Sequence, residues 1–140
     1  MTELELIALA KEAAKNAYVP YSHHTVGAAL LSKSGKVYLG CNIENAAYSP
    51  TNCAERTAFF KAVSEGEREF EAIAVVGGYE LDFADYFAPC GVCRQVMAEF
   101  CDMDTFRVIF GKNGEEFKSF TLREILPFGF SPSDLKGPQL

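Results

Sequence analysis

Residues 2–17 place Leu4, Ile7, Ala8 and the Lys11/Glu12 pair at helical spacing, and Thr2 with Glu5 forms a capping box. This pattern predicts an amphipathic helix. A Pro-containing connection covers 18–23, and residues 25–32 and 36–41 are β-rich runs separated by Lys33-Ser34-Gly35, which reads as a hairpin. The stretch 42–52 is rich in Asn, Ser and Pro and reads as a loop, and Asn52 is placed to cap a helix from Cys53 to about Val63, ending before Gly66. Residues 71–77 are predicted as a buried strand and 78–88 (GYELDFADYFA) as a loop with exposed aromatics. A helix from Gly91 to Phe100, opened by Pro89, comes next. Strands Phe106–Phe110 and Glu116–Phe120 flank the turn Lys112-Asn113-Gly114. Thr121 and Glu124 form a second capping box for a short helix to Leu126, and the tail 127–140 holds three prolines.

This order of elements implies an α/β fold: a three-layer α/β/α sandwich around a mixed sheet of about five strands. The length of 140 residues fits one domain spanning 1–140. The chain is 49% hydrophobic and 23% charged, which is globular composition. A formal net charge of −6 and the lack of a Lys/Arg run argue against nucleic acid as a partner and favour a small or uncharged substrate. No secretory leader and no membrane-spanning run are evident, so a cytoplasmic location is expected. In that compartment five cysteines point to metal binding or catalysis and not to a disulfide framework.

Cys53 and the pair Cys90/Cys93 of Pro89-Cys90-Gly91-Val92-Cys93 all fall at predicted helix N-termini. The positive end of a helix dipole favours thiolate, the metal-binding form of cysteine. Cys41 and Cys101 have no nearby partner, and His23 and His24 lie upstream in a connection, so the count favours three ligands and an open position for water, as in catalytic zinc sites. Taken alone, PCGVC also fits a redox dithiol, or a structural zinc closed by Cys41 or a histidine. Glu55 shifts the balance: two residues after Cys53, on the first helical turn, it can move protons for water activated by a metal without ligating it. Three thiolates on Zn²⁺ leave a net charge of −1, which a guanidinium from Arg56 would offset; Arg94 is a weaker candidate for that role, and Gln95 is within reach of a sulfur.

The motifs PYS…VGAALL (20–31), GCNIENAAYS (40–49), NCAERTA (52–58), KAVSEGE (61–67), PCGVCRQV (89–96) and ILPFGF (125–130) together resemble the small homotetrameric cytidine deaminases. The resemblance implies one Zn²⁺ per chain on Cys53, Cys90 and Cys93, and hydrolysis of cytidine and 2′-deoxycytidine to the uridine nucleosides and ammonia. It further implies that Asn42 and Glu44 bind the ribose 3′-hydroxyl and that the Ala54 N–H binds the base. By the same resemblance, Tyr48 and Phe130 are expected around the pocket, partly from neighbouring subunits, with sites shared within a homotetramer. The family usually has phenylalanine, stacked on the pyrimidine, where this chain has His24, and the 78–88 loop is longer than the family's. These two departures prompt a second reading, a deaminase of a modified or non-standard cytosine nucleoside; a non-catalytic zinc module is a third.

Overall fold

The structure, a computed structural model, describes residues 1–135, so the end of the tail expected over 127–140 lies outside the described residues. Five strands form one sheet: β1 (His24–Ser32), β2 (Val37–Cys41), β3 (Phe70–Tyr79), β4 (Arg107–Gly111) and β5 (Phe117–Thr121), in the order β2-β1-β3-β4-β5. β3 and β4 run parallel and every other neighbouring pair is antiparallel, so the sheet is mixed. The helices are α1 (Glu3–Ala14), α2 (Ala54–Ser64), α3 (Gly91–Phe100) and the short α4 (Leu122–Ile125) and α5 (Pro132–Leu135).

The central strands are buried on both faces, and their side chains alternate between two cores. Ala28, Leu30, Ile73 and Val75 point to one side, where they meet Ala58 and Phe59 of α2 and Met97 of α3. Ala29, Leu31, Ala74 and Val76 point to the other, against Leu6, Ile7, Ala10 and Ala14 of α1. The expected three layers result, with α1 on one face and α2 and α3 on the other. Both capping boxes form, Thr2 with Glu5 and Thr121 with Glu124.

Several boundaries differ from the sequence reading, each for a physical reason. The buried stripe of α1 is Leu6, Ile7, Ala10, Ala13 and Ala14, whereas Leu4 is exposed. Alanines let α1 sit directly on β1, where a Cβ at Gly27 would lie 1.9 Å from the Ala10 carbonyl oxygen. Asn52 does not cap α2: Cys53 holds the N-cap position, and the Asn52 amide donates to the Thr57 hydroxyl at 3.2 Å. β3 runs past residue 77, because Gly77 and Gly78 pair with Val26 and Thr25 of β1. Without side chains there, the following segment folds back onto the strand; a Cβ on Gly78 would lie 1.8 Å from the Asp82 carbonyl oxygen. The tail contains α5, which the pattern did not predict. Among the described residues no helix is long and apolar enough to cross a membrane.

Candidate active site

Cys53 is the N-cap of α2, Cys90 is the N-cap of α3, and Cys93 lies one turn into α3. The two helices lie on the same face of the sheet and bring the three sulfurs together. Cys53 Sγ is 3.7 Å from Cys90 Sγ, Cys90 Sγ is 3.5 Å from Cys93 Sγ, and all three lie within 4.8 Å of one another. Tetrahedral zinc with Zn–S bonds of about 2.3 Å needs sulfurs about 3.8 Å apart. The three cysteines therefore fit three corners of such a site with little movement. Among the described residues, the one group of three or more His, Cys, Asp or Glu ligand atoms close enough to share a metal consists of these sulfurs.

The electrostatics of the cluster match an anionic metal site. The Cys53 thiol is brought down to about 5 by the hydrogen bond it shares with Cys93 and, beyond that, by Arg56. The same shared bond, together with burial, pushes the Cys93 thiol up. One proton is thus held between sulfurs that a metal would bind as thiolates, and metal binding releases it. Arg56 Nη2 donates to Cys53 Sγ at 3.1 Å. Burial opposes the Arg56 charge, but its hydrogen bonds to Cys53 and Cys93 outweigh that and raise its pKa. Counting three thiolates, Zn²⁺ and this guanidinium, the assembly is neutral.

Glu55 is 1% exposed, and its Oε1 has no hydrogen-bond partner among the described residues. Burial pushes its carboxyl up to about 7. It lines a cavity of about 160 Å³ together with His24, Asn42, Ala54, Phe87 and Cys90. A buried, unpaired carboxylate normally costs a few kcal/mol, and such groups concentrate at functional sites. The Ala54 N–H is the first of α2 and belongs to the turn whose donors have no intrahelical partner. The close seat of this turn depends on Gly40, where a Cβ would lie 2.3 Å from the Ala54 carbonyl oxygen.

A second hollow, of about 410 Å³, adjoins the first and shares Ser22 and Thr51 with it. Glu44 faces it and accepts the N–H groups of Tyr21 and Ser22, each at 3.1 Å, and the Ser22 hydroxyl. These bonds, the hydroxyl first, hold the Glu44 carboxyl below its usual range. The Asn42 amide is fixed at both ends, accepting from the Val26 N–H at 3.0 Å and donating to the His24 carbonyl at 2.8 Å.

Other expected residues lie elsewhere. The Gln95 amide does not meet a sulfur; it donates to the Phe130 carbonyl at 2.7 Å. Arg94 likewise binds two carbonyls, those of Pro89 and Ile125, at 2.8 Å each. Tyr48, with a φ of 62° and 75% exposed, belongs to the larger hollow. Phe130 is 54% exposed and does not line the smaller cavity within one chain. Sequence reasoning missed five lining residues, Ser22, Val26, Thr51, Asn52 and Phe87. For Phe87 the available signal was its place at the end of the aromatic-rich loop, three residues before Cys90.

Three cysteine sulfurs at zinc spacing, with a buried glutamate beside them, fit the class of a zinc-dependent hydrolytic site. Residues 1–112 match the family described as the cytidine and deoxycytidylate deaminase zinc-binding region. The cytidine deaminase of Sporosarcina psychrophila is 53% identical over 131 residues, which cover 94% of this chain and 93% of that one. The cytidine deaminase of Halalkalibacterium halodurans is 52% identical over 130 residues, covering 93% of this chain and 95% of that one. The crystal structure of cytidine deaminase from Burkholderia pseudomallei is similar over 93% of this chain and 100% of that one, with a TM-score of 0.84 and 46% identity. The chain therefore belongs to the cytidine and deoxycytidylate deaminase zinc-binding family.

Proposed function

We propose that residues 1–140 act as one catalytic unit that hydrolyses the exocyclic amine of cytidine and 2′-deoxycytidine, giving uridine or 2′-deoxyuridine and ammonia. The observation that carries this reading is the buried Glu55 carboxyl, its Oε1 without a partner, in the same small cavity as a cysteine cluster at zinc spacing. Cys53, Cys90 and Cys93 would hold the metal. When bound, zinc acts as a Lewis acid that makes water acidic near neutral pH.

The rest of the chemistry belongs to the chain. In the reaction a C4–O bond forms from water and the C4–N bond to the amine breaks. One proton of the water ends on the leaving amine and the other on the ring. Glu55, with its carboxyl raised to about 7, can take a proton from the attacking water and give it to the amine without becoming trapped in either state. Ala54 offers its free N–H to the base. Arg56 keeps the thiolate cluster from accumulating negative charge. The base occupies the smaller cavity and the ribose extends toward Asn42 and Glu44. A nucleoside fits this division better than a nucleotide, because the Glu44 carboxylate would repel a phosphate.

The exposed Tyr48 and Phe130 are available to complete the site of a neighbouring copy in a homotetramer. Cytoplasmic pyrimidine salvage is the setting we assign to the activity. The test is loss of cytidine absorbance, with and without a zinc chelator, on protein whose zinc content and solution mass are measured. About one zinc per chain, chelator-sensitive turnover and a tetramer's mass are expected; zinc-loaded protein that leaves cytidine intact overturns the activity.

A further inference from the structure

Gly78 is followed by a segment that is tied down along its whole length. The Leu81 N–H donates to the Thr25 hydroxyl at 2.9 Å, and the Thr25 hydroxyl in turn donates to the Gly78 carbonyl at 2.9 Å. Phe83 is buried in the core under α1, and its carbonyl accepts the Asn113 N–H at 2.8 Å. The Asn113 amide donates to Asp82 at 2.9 Å. The Tyr86 ring lies beneath the ammonium groups of Lys112 at 4.8 Å and Lys118 at 4.9 Å. The anchors come from β1, from β5 and from the turn joining β4 to β5, so the segment is a fixed wall and not a lid.

The wall delivers Phe87 to the base cavity. Its ring lies over the bare backbone of Gly77, where a Cβ would come within 2.6 Å of Phe87 Cγ. On one side it touches the margin of the main core, and it also lines the cavity that contains Glu55. The His24 ring is its neighbour there, with centroids 5.6 Å apart and planes inclined at 37°. The two rings form one aromatic surface. Only the phenyl member is free of polar atoms that would need solvation. An immobilised phenyl ring in a cavity of this size has one evident use, contact with the π-face of a flat heteroaromatic ring. Because its position is already fixed, little side-chain entropy is lost on binding.

We propose that Phe87 is a specificity-determining residue of the deamination site: it supplies the aromatic surface on which the pyrimidine base lies. This rests on the deaminase reading above, from which its test is separable. Kinetics are measured with cytidine on zinc-loaded wild type and on Phe87→Ala, Phe87→Leu and Phe87→Tyr, with zinc content and melting temperature recorded for each. The product uridine, which is not turned over, serves as a competitive inhibitor, so that base binding is read independently of chemistry.

Loss of a base-stacking ring corresponds to roughly a 5- to 150-fold weakening. Phe87→Ala is expected to raise KM and the uridine inhibition constant together by that factor, with kcat within about threefold of wild type. Phe87→Leu, which keeps the bulk but not the π-face, should show a smaller rise of the same kind, and Phe87→Tyr should restore the wild-type constants. If Phe87→Ala does not fold, Phe87→Leu against Phe87→Tyr decides. Leucine at wild-type KM, or a loss confined to kcat or zinc content, overturns the proposal; the latter would assign Phe87 to holding Cys90. A wild type that leaves cytidine untouched is instead a failure of the deaminase reading.

Discussion

Glu55→Gln keeps the size of a side chain that is 1% exposed and removes its ability to ionise. Burial holds the Glu55 carboxyl at about 7 in the folded protein, against 4.5 for an unperturbed carboxyl. A folded-state pKa above the unfolded value means that the unfolded chain gives up this proton first. Stability contributed by the neutral group is fully present below about pH 4.5 and is lost as pH rises through about 7. The linkage relation for these two values puts the loss at about 1 kcal/mol at pH 5 and about 3 kcal/mol at pH 8. Metal-free Glu55→Gln escapes the loss. Its stability advantage over metal-free wild type should therefore grow by about 2 kcal/mol between pH 5 and pH 8. The cysteine and arginine groups of the site titrate in both proteins, so they largely cancel in the difference.

The assay is urea unfolding of chelator-treated wild type and variant at several pH values, read by circular dichroism. In parallel, zinc-loaded Glu55→Gln is expected to deaminate cytidine at least about 10²-fold more slowly, the loss typical when a positioned acid–base group is removed. A variant more stable at pH 8 yet nearly inactive is what a strained functional carboxyl predicts. The reasoning fails in its energetic half if the two stability profiles run parallel with pH. It fails in its chemical half if turnover survives while zinc is retained.

Arg56→Ala removes the guanidinium hydrogen-bonded to Cys53 and should reduce zinc retention or rate by about 10- to 100-fold; normal values of both, by metal analysis and kinetics, would dismiss charge compensation. His24→Phe places a larger apolar ring beside Phe87 and should lower the KM for cytidine by up to about fivefold, whereas a rise would reveal a specific imidazole contact. Gly40→Ala drives a methyl group into the Ala54 carbonyl and should destabilise the fold by about 1–3 kcal/mol while lowering activity, because the first turn of α2 must shift; an unchanged melting temperature would show that the turn can move freely.

Local chemistry made much of this molecule legible in its sequence. The two capping boxes depend on residues three apart, and the hairpin of β1 and β2 depends on Lys33-Ser34-Gly35; each forms as expected. The cysteines that converge are those at helix starts, where dipole and spacing favour thiolates. Failures came where a second element decides. In the Ala- and Leu-rich α1 several phases are equally apolar, and contact with Gly27 selects the one that buries Leu6. Asn52 is the better N-cap by propensity, but Cys53 takes that position and the Asn52 amide turns to the Thr57 hydroxyl. Gln95, within reach of a sulfur by spacing, and Arg94, the weaker candidate for charge compensation, both donate to carbonyls of distant segments. Phe87 is not legible locally because its segment is anchored from more than twenty residues away, by Asn113 on Asp82 and by Lys112 and Lys118 over Tyr86. Tyr48 and Phe130 are exposed and do not line the smaller cavity, so nothing within one chain fixes what their rings touch.

Why four consecutive residues can serve one site follows from where they stand on α2. Along a strand, successive side chains point to opposite faces, so Cys53 and Ala54 could not both address one cavity. In the middle of a helix, neighbours diverge by about 100° and the backbone donors are already used. Only at a helix start does the axis itself point at the site, with the N-cap sulfur, the first free N–H, the Glu55 carboxyl and the Arg56 guanidinium grouped around its end. The dipole there stabilises the anionic sulfurs as well. Burial of Glu55 then follows from the seat rather than from a separate device: Gly40 draws the turn onto β2, and the carboxyl goes with it out of water. Moving this turn outward by the thickness of a methyl group would hydrate Glu55, return its carboxyl toward the ordinary range, and slow proton transfer even with all three sulfurs still in place.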